Sequence, residues 1–350
     1  MQKMNRHALI CSIIFSIAAM AGIVFLSANK VVTISGVEQS GQEQLTQEES
    51  GMHESGDKHL LSVLGDEKEQ YLTIPVPANC KAEDVVIENH YMDHELCIHI
   101  ENVEESFFLE NQISGNPQKV MNGRSEQQGK GVRILFDVDN YYEYRTVLEN
   151  DNLYITFVKP KEEFARIVVI DPSCGGRSTG KSENGVKEKE VVLNVAKKMQ
   201  EQLEEKGIKA YFTRLGDVNP SEQSRIELAN EIGADMYIRI QVAAYEDAVI
   251  YGVSTVYNEN YFIPGFGNVE LADALEREVV TSVRGKAIGL EKAGETDGVL
   301  RQVTIPAAAV NIGCISNKQE AILLQREDYQ EKIANGIVNA IISSSDAATP

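Results

Sequence analysis

The feature that most constrains this chain is a hydrophobic period that switches back and forth through its second half. Arg166-Ile167-Val168-Val169-Ile170 is a short apolar run of strand length. Val191, Val195, Met199 and Leu203 then recur at helical spacing with Val192 and Ala196 beside them, which predicts a helix over Lys187 to Lys206 stopped by Gly207. Ile208 to Thr213 predicts the next strand. Asn219-Pro220-Ser221-Glu222 reads as a capping box with proline at the first helical position, opening a helix to about Ile232. Strands over Met236 to Gln241 and Val249 to Tyr257, a helix over Val269 to Val283, a strand over Ala307 to Ile312 and closing helices over Gln319 to Ile342 complete the pattern. Such alternation predicts an α/β fold over residues 161–345, with a mostly parallel sheet flanked by helices.

The first half has a different grammar. Ala8 to Ser27 carries no charge and is long enough to cross about 30 Å of hydrocarbon as a helix. Lys3 and Arg6 precede it, which favours a cytoplasmic N-terminus and folded parts outside the cytoplasm. A cleaved signal peptide has a shorter apolar core followed by a small-x-small site, whereas Ala19-Met20-Ala21 lies inside the span. Residues 1–28 are therefore expected to be a retained single-pass anchor, holding the protein to the cell membrane through residues 8–28. Residues 29–70 are rich in Gln, Glu, Ser and Gly and predict a flexible acidic linker, with a short apolar patch at Leu60, Leu61, Val63 and Leu64. Residues 71–160 predict a small all-β, sandwich-like domain. Its strands are expected at Tyr71 to Val76, Leu96 to Ile100, Val132 to Val138 and Leu153 to Val158, with a hairpin turn at Asn150-Asp151-Asn152. His90, Tyr91, His94 and His99 lie in this stretch, and isolated histidines on strands are more often structural than functional.

A net charge of −20 excludes the usual electrostatic footprint of a nucleic-acid binder. Cys11, Cys80, Cys97, Cys174 and Cys314 form no C-x-x-C pair, which removes zinc-ribbon and thioredoxin-like readings. Cys80 and Cys97 are available to pair in an extracytoplasmic domain, and reduced, partly buried thiols are the plainer expectation.

Asp171-Pro172-Ser173-Cys174-Gly175-Gly176 after the first strand, Gly185 to Glu190 at the start of the first helix and Asn311 to Asn317 at the last strand stand in one order, and with them the chain from Ile167 onward resembles the zinc-dependent N-acetylmuramoyl-L-alanine amidases of the Amidase_3 type, which cut the sugar–peptide bond of peptidoglycan. Asp171-Pro172-Ser173-Cys174-Gly175-Gly176 stands where that family has D-P-G-H-G-G. Gly185-Val186-Lys187-Glu188-Lys189-Glu190 matches G-x-x-E-K-D. Thr213-Arg214, Arg225 to Asn230 and Gly233-Ala234-Asp235 match the segment leading to the family's second zinc-binding histidine. Val299-Leu300 and Pro306 match the approach to the catalytic strand, and Asn311 to Asn317 matches an E-x-G-F-x-S-N segment.

The resemblance implies zinc held by His, Glu and His, with a second Glu as acid and base. Those four positions hold Cys174, Glu188, Gln241 and Asn311 here. A catalytic zinc needs three good ligands and an open place for water. A thiolate can serve, but a neutral amide oxygen is a poor substitute for imidazole. An asparagine cannot exchange the proton that the mechanism moves. The family's asparagine just beyond the lost histidine is also replaced, by Ala243. Cys174 as a nucleophile lacks a histidine in its own domain, because His7, His53, His59, His90, His94 and His99 all precede it.

The expectation is a membrane-anchored, extracytoplasmic cell-wall protein on an amidase fold, catalytically inactive, with no cofactor. It would bind peptidoglycan or a muropeptide, or regulate another cell-wall hydrolase or envelope protein. The alternatives are an active amidase, hydrolysing the MurNAc–L-Ala bond with zinc in an atypical site, and a scaffold in an envelope or spore-forming assembly. Tyr257, Tyr261, Phe262 and Phe266 lie where the family carries an inserted access element, which makes them candidates to grip a ligand or partner.

Overall fold

The computed structural model describes residues 59–347, with side chains to Ser344. The anchor expected over 8–28 and most of the linker lie outside the described residues. Among the described residues no helix is long and apolar enough to cross a membrane. They divide into two compact units that meet in sequence between Val158 and Lys159.

The first unit holds β1 (His59–Leu61), β2 (Val63–Leu64), β3 (Tyr71–Pro75), β4 (Val85–His90), β5 (Glu95–Ile100), β6 (Ile113–Ser114), β7 (Val120–Gln128), β8 (Gly131–Val138), β9 (Glu143–Glu149) and β10 (Asn152–Val158). They form two five-stranded sheets, ordered β1-β7-β8-β5-β4 and β2-β6-β3-β10-β9. Alternate residues such as Ile87, Ile98, Ile134, Phe136, Leu72, Ile74, Leu153 and Ile155 share one buried cluster, as period-2 patterning requires when each sheet buries one face. Asn150 and Asp151 both adopt positive φ, 50° and 58°, the backbone of a tight hairpin turn between β9 and β10. The apolar patch at Leu60 to Leu64, expected inside the linker, is instead strand: β1 pairs with β7 and β2 with β6, so order begins earlier than residue 71. Burying Leu61 and pairing its backbone explains why the patch leaves the linker. Cys80 and Cys97 are both free thiols.

The second unit is α/β. It contains β11 (Ile167–Pro172), a short hairpin of β12 (Ser182–Glu183) and β13 (Val186–Lys187), helix α1 (Glu188–Glu205), β14 (Lys209–Phe212), α2 (Glu222–Glu231), β15 (Met236–Ala243), β16 (Val253–Tyr257), α3 (Asn268–Val283), β17 (Ala287–Lys292), α4 (Gly298–Gln302), β18 (Ala307–Cys314), α5 (Lys318–Leu324) and α6 (Glu327–Ala347). The main sheet runs β14-β11-β15-β18-β16-β17. The first four strands are parallel. β16 turns antiparallel to β18, and β17 follows β16 in parallel.

One sheet face buries Val168, Ile170, Ile238, Ile240, Val310 and Ile312 against α1, α3 and α6 in a single large core. The short helices α2 and α4 pack together, touching β11 and β18 respectively. Gly207 stops α1 with φ 66°, as expected. The start of α2 differs from the expected box: Ser221 is the N-cap, its Oγ accepting from the Ser224 amide at 3.0 Å, and Pro220 precedes the cap. β17 had no clear sequence signal because it is a partly exposed edge strand.

Candidate functional site

The carboxyl ends of β11, β15 and β18 converge, as they do in open α/β sheets that carry a ligand crevice. Ser173 N donates to Ile240 O at 3.0 Å, closing the end of β11 onto β15. Strand register then places Asp171 beside Arg239 and Gln241 beside Asn311. Because alternate residues share a face, Asp171, Arg239, Gln241 and Asn311 project to the side opposite the large core.

Two charge centres organise this end. The first is Asp171, completely buried. It is ion-paired to Arg225 and to Arg239, the latter at 2.9 Å, and it accepts from Thr213 Oγ1 at 2.5 Å and from the Tyr237 hydroxyl. Burial alone would raise its pKa. The two guanidiniums and the hydroxyl donors outweigh that and hold the carboxyl far below the usual carboxylate range. Arg214 is also buried, yet among the described residues no carboxylate forms an ion pair with it. It donates to the carbonyls of Pro172, Ser173, Lys189 and Gly216 at 2.9 to 3.0 Å, clamping the turn that carries Cys174. Burial, and then the nearby Arg225 charge, push its pKa down to about 10.

The second centre is Glu188, the first residue of α1 and 3% exposed. Its Oε1 accepts from Ser173 Oγ at 2.9 Å and from the Val242 amide at 3.2 Å. Its Oε2 accepts from the Lys181 amide at 2.9 Å, and Lys181 Nζ lies 3.8 Å away. Cys174 sits beside it with φ 62°. A Cβ placed on Gly180 would lie 2.5 Å from Glu188 Oε2 and 2.7 Å from Cys174 Sγ, so thiol and carboxylate crowd one point under the Gly180 turn. Gly180 itself has φ +65°, and that conformation and the lack of space both require glycine.

Asn311 is 6% exposed, and its Nδ2 donates to Ser254 Oγ at 2.9 Å across the β16–β18 ladder. Ser254 in turn contacts the Tyr245 hydroxyl, which donates to Glu291 Oε1 at 2.8 Å. The amide is thus the inner end of a polar chain that runs outward to a carboxylate. Asn184, at the tip of the β12–β13 hairpin, donates to the carbonyls of Ile315 and Ser316 and draws the hairpin onto the end of β18. Gln241 is half-buried, beside Asn311 in the β15–β18 register.

All four positions singled out in the sequence, Cys174, Glu188, Gln241 and Asn311, therefore belong to one end of the sheet. The aromatic residues do not. β16 runs antiparallel, so Ser254 lies opposite Asn311 while Tyr257 lies opposite Ala308, at the other end of β18. Three residues of strand separate them by about 10 Å, and the chain leaves Tyr257 away from the crevice. The aromatic candidates for gripping a ligand or partner therefore follow a strand that leads away from this end of the sheet. Tyr257 and Phe266 pack against the large core, while Tyr261 and Phe262 remain exposed, Phe262 at 83%. Residues that sequence reasoning missed are Ser173, Lys181, Ser254, Tyr245 and Glu291. They are polar side chains in loops or at strand ends, where no hydrophobic period marks them.

Comparison with known proteins gives this geometry a lineage. Residues 168–343 match the family model described as Amidase_3, N-acetylmuramoyl-L-alanine amidase. The germination-specific N-acetylmuramoyl-L-alanine amidase of Bacillus subtilis (strain 168) is 28% identical over 193 residues, covering 51% of this chain and 78% of that protein. The N-acetylmuramoyl-L-alanine amidase AmiA of Escherichia coli (strain K12) is 27% identical over 235 residues, covering 53% and 79%. The crystal structure of an N-acetylmuramoyl-L-alanine amidase from Clostridium difficile 630 is similar at 28% identity with a TM-score of 0.49, covering 52% of this chain and 98% of that one. The matched segment takes in half of the chain, including Cys174, Glu188, Gln241 and Asn311, and on that match the chain belongs to the N-acetylmuramoyl-L-alanine amidase family.

Proposed function

We propose that this protein is anchored in the cell membrane through residues 8–28, with its folded units outside the cytoplasm, and uses the amidase crevice to hold a peptidoglycan stem peptide without cutting it. The observation that carries this reading is Asn311. It occupies the acid/base position of the family, and its amide is fixed to Ser254. An amide cannot take and return a proton, and loss of a general acid–base group forfeits about 10²–10⁴ in rate by itself.

The donor set does not fit a catalytic zinc. Both oxygens of Glu188 already accept hydrogen bonds from the chain, and the Lys181 ammonium stands 3.8 Å from Oε2, where it opposes a second cation. Gln241 offers a neutral amide, which competes poorly with imidazole for a divalent transition metal. Of the four positions, Cys174 and Glu188 retain ligand chemistry. What remains is suited to binding. Gln241 and Asn311 lie side by side, and amide side chains both donate and accept, which is the pairing a peptide backbone uses.

The test is co-sedimentation of the purified full chain with intact sacculi, with turbidity followed on the same sample before and after added zinc. The expected result is pelleting with the wall and no clearing in either condition. Clearing that a chelator abolishes would replace this reading with that of a working amidase, its metal site built around Cys174 and Glu188. Failure to pellet would remove the wall-binding reading.

A further inference from the structure

We propose that the β-sheet unit carries a site of its own for a zinc-class divalent cation, formed by Glu88, His90 and Cys97 on the outward face of the sheet β1-β7-β8-β5-β4. The backbone makes the site. Glu88 and His90 are two residues apart on β4 and therefore share a face. Cys97 on β5 is the direct cross-strand partner of Glu88. The inner face of the same strands is taken by Val85, Ile87, Leu96, Ile98 and Ile100. One ligand atom from each of the three residues lies within 4.8 Å of the other two. Among the described residues they form the only such group of three.

The donor chemistry selects the cation. Thiolate, imidazole and carboxylate together suit zinc, with bonds of about 2.3, 2.0–2.1 and 2.0–2.2 Å and a fourth position for water. Hard cations such as calcium and magnesium prefer all-oxygen sets. With those bond lengths, tetrahedral ligands sit about 3.5 Å apart, so no ligand atom has to move by more than roughly 1 Å to reach such a set. His90 Nε2 already lies 2.9 Å from Glu88 Oε2, and both side chains are 21–25% exposed, which leaves them free to rotate. Cys97 is only 3% exposed and supplies the fixed end of the site.

Arg133 is the group that opposes the metal. Its Nε–H donates to Cys97 Sγ at 3.2 Å. That contact is compatible with ligation, because a metal-bound thiolate still accepts from an N–H in the surrounding shell. The guanidinium also has a cross-strand neighbour of opposite charge, Glu126. On binding, the thiol proton leaves to solvent and an S–metal bond replaces the S–H bond, so uptake releases one proton. Burial raises the Cys97 pKa and the Arg133 hydrogen bond works against that rise, which makes uptake favour higher pH.

Cobalt(II) titration of the full chain, kept reduced with a reductant that does not bind metal, tests the site. The expected result is one equivalent bound, with a thiolate-to-cobalt charge-transfer band that zinc displaces. The band should vanish in Cys97→Ser and persist in Cys174→Ser, which separates this site from the amidase crevice. His90→Gln should weaken binding at least about 10-fold, the lower end of what even outer-shell changes cost, while circular dichroism of the metal-free protein stays unchanged. If Cys97→Ser does not fold, His90→Gln decides alone. No charge-transfer band in the wild-type chain, a band that survives Cys97→Ser, or undiminished affinity in His90→Gln would each overturn the proposal.

Discussion

Asp171 and Glu188 are two buried carboxylates at the same end of the same sheet, and their surroundings differ in kind. Asp171 is ringed by charge: two arginines pair with it, and Thr213 and Tyr237 add hydroxyl donors. Glu188 is held mostly by neutral donors, namely Ser173 Oγ and the amides of Lys181 and Val242, with one lysine ammonium at longer range. Asp171 ties β11 to β15, to the chain after β14 and to α2, so its role is to keep strand ends in register. Glu188 faces the thiol of Cys174 under a glycine turn, where both crowd the Gly180 backbone. The crevice frame is therefore held by paired charge at Asp171, while its contents around Glu188 are held by hydrogen bonds from mostly neutral donors. Arg214, Arg225, Arg239 and Asp171 brace the strand ends that carry Cys174, Gln241 and Asn311.

Removing the frame's charge should produce the largest effect. Asp171→Ala leaves Arg225 with only neutral acceptors and Arg239 with only the longer 3.4 Å contact to Asp297, and breaking a buried pair from one side costs about 3–5 kcal/mol. Urea denaturation of the full chain should show that loss in the transition of the α/β unit. A cost below about 1 kcal/mol, the level of an exposed pair, would mean that the knot is incidental. The same residue sets an acid limit. Its folded pKa is depressed, so its stabilisation is fully present above the unfolded value of about 3.9 and is lost as pH falls below it toward the folded value. Stability measured downward from pH 5 should fall more steeply in the wild-type chain than in Asp171→Asn, and equal slopes would contradict the assignment.

How far these two regions could be read beforehand follows from what each contributes to a pattern. The helix α1 and strands β11, β15 and β18 bury one face against a core, so their apolar residues recur at 3.6 or 2 and mark both type and place. The positions Cys174, Glu188, Gln241 and Asn311 were picked out by the resemblance to the family's motifs, which apolar periodicity by itself does not supply. The direction of β16 was not legible, since an apolar run carries no arrow, and neither was the end of the sheet to which it leads Tyr257. Lys181, Ser254 and Tyr245 act through contacts made only in the folded chain. The same holds for the β-sheet unit. Leu96 to Ile100 reads as a strand, but the neighbour that brings Glu88 and His90 to Cys97 is fixed by pairing and not by sequence distance.

Within the crevice, Gly180→Ala should be the most costly single change. It forces a side chain into a φ of +65° and against Glu188 Oε2 and Cys174 Sγ, for which about 2–3 kcal/mol is expected. Thermal unfolding reads this, and a cost near zero would show that the turn is looser than drawn. Glu188→Gln keeps the shape, removes the charge facing Lys181 and turns one of three satisfied acceptor contacts into a donor facing a donor. That should cost about 1–3 kcal/mol, less than the loss at Asp171. If Glu188→Gln proved the costlier of the two, the distinction between frame and contents would reverse.

The smallest expected effect lies at Ser254, and it tests what fixes the amide of Asn311. Ser254→Ala removes the acceptor for Asn311 Nδ2 and the link to Tyr245 and Glu291. A single neutral hydrogen bond contributes about 0.5–1.5 kcal/mol net, so stability should drop by no more than that. Its consequence for binding should be larger in proportion, because the amide then rotates and its carbonyl no longer holds one direction. Co-sedimentation with sacculi should weaken several-fold in Ser254→Ala while the urea midpoint barely moves. In Asn311→Asp the Ser254 hydroxyl turns to donate to the new carboxylate, and the loss of the amide donor is read on the same assay. Equal pelleting by wild type, Ser254→Ala and Asn311→Asp would show that the wall is held elsewhere on the chain, and that the crevice is only a remnant of the frame that Asp171 preserves.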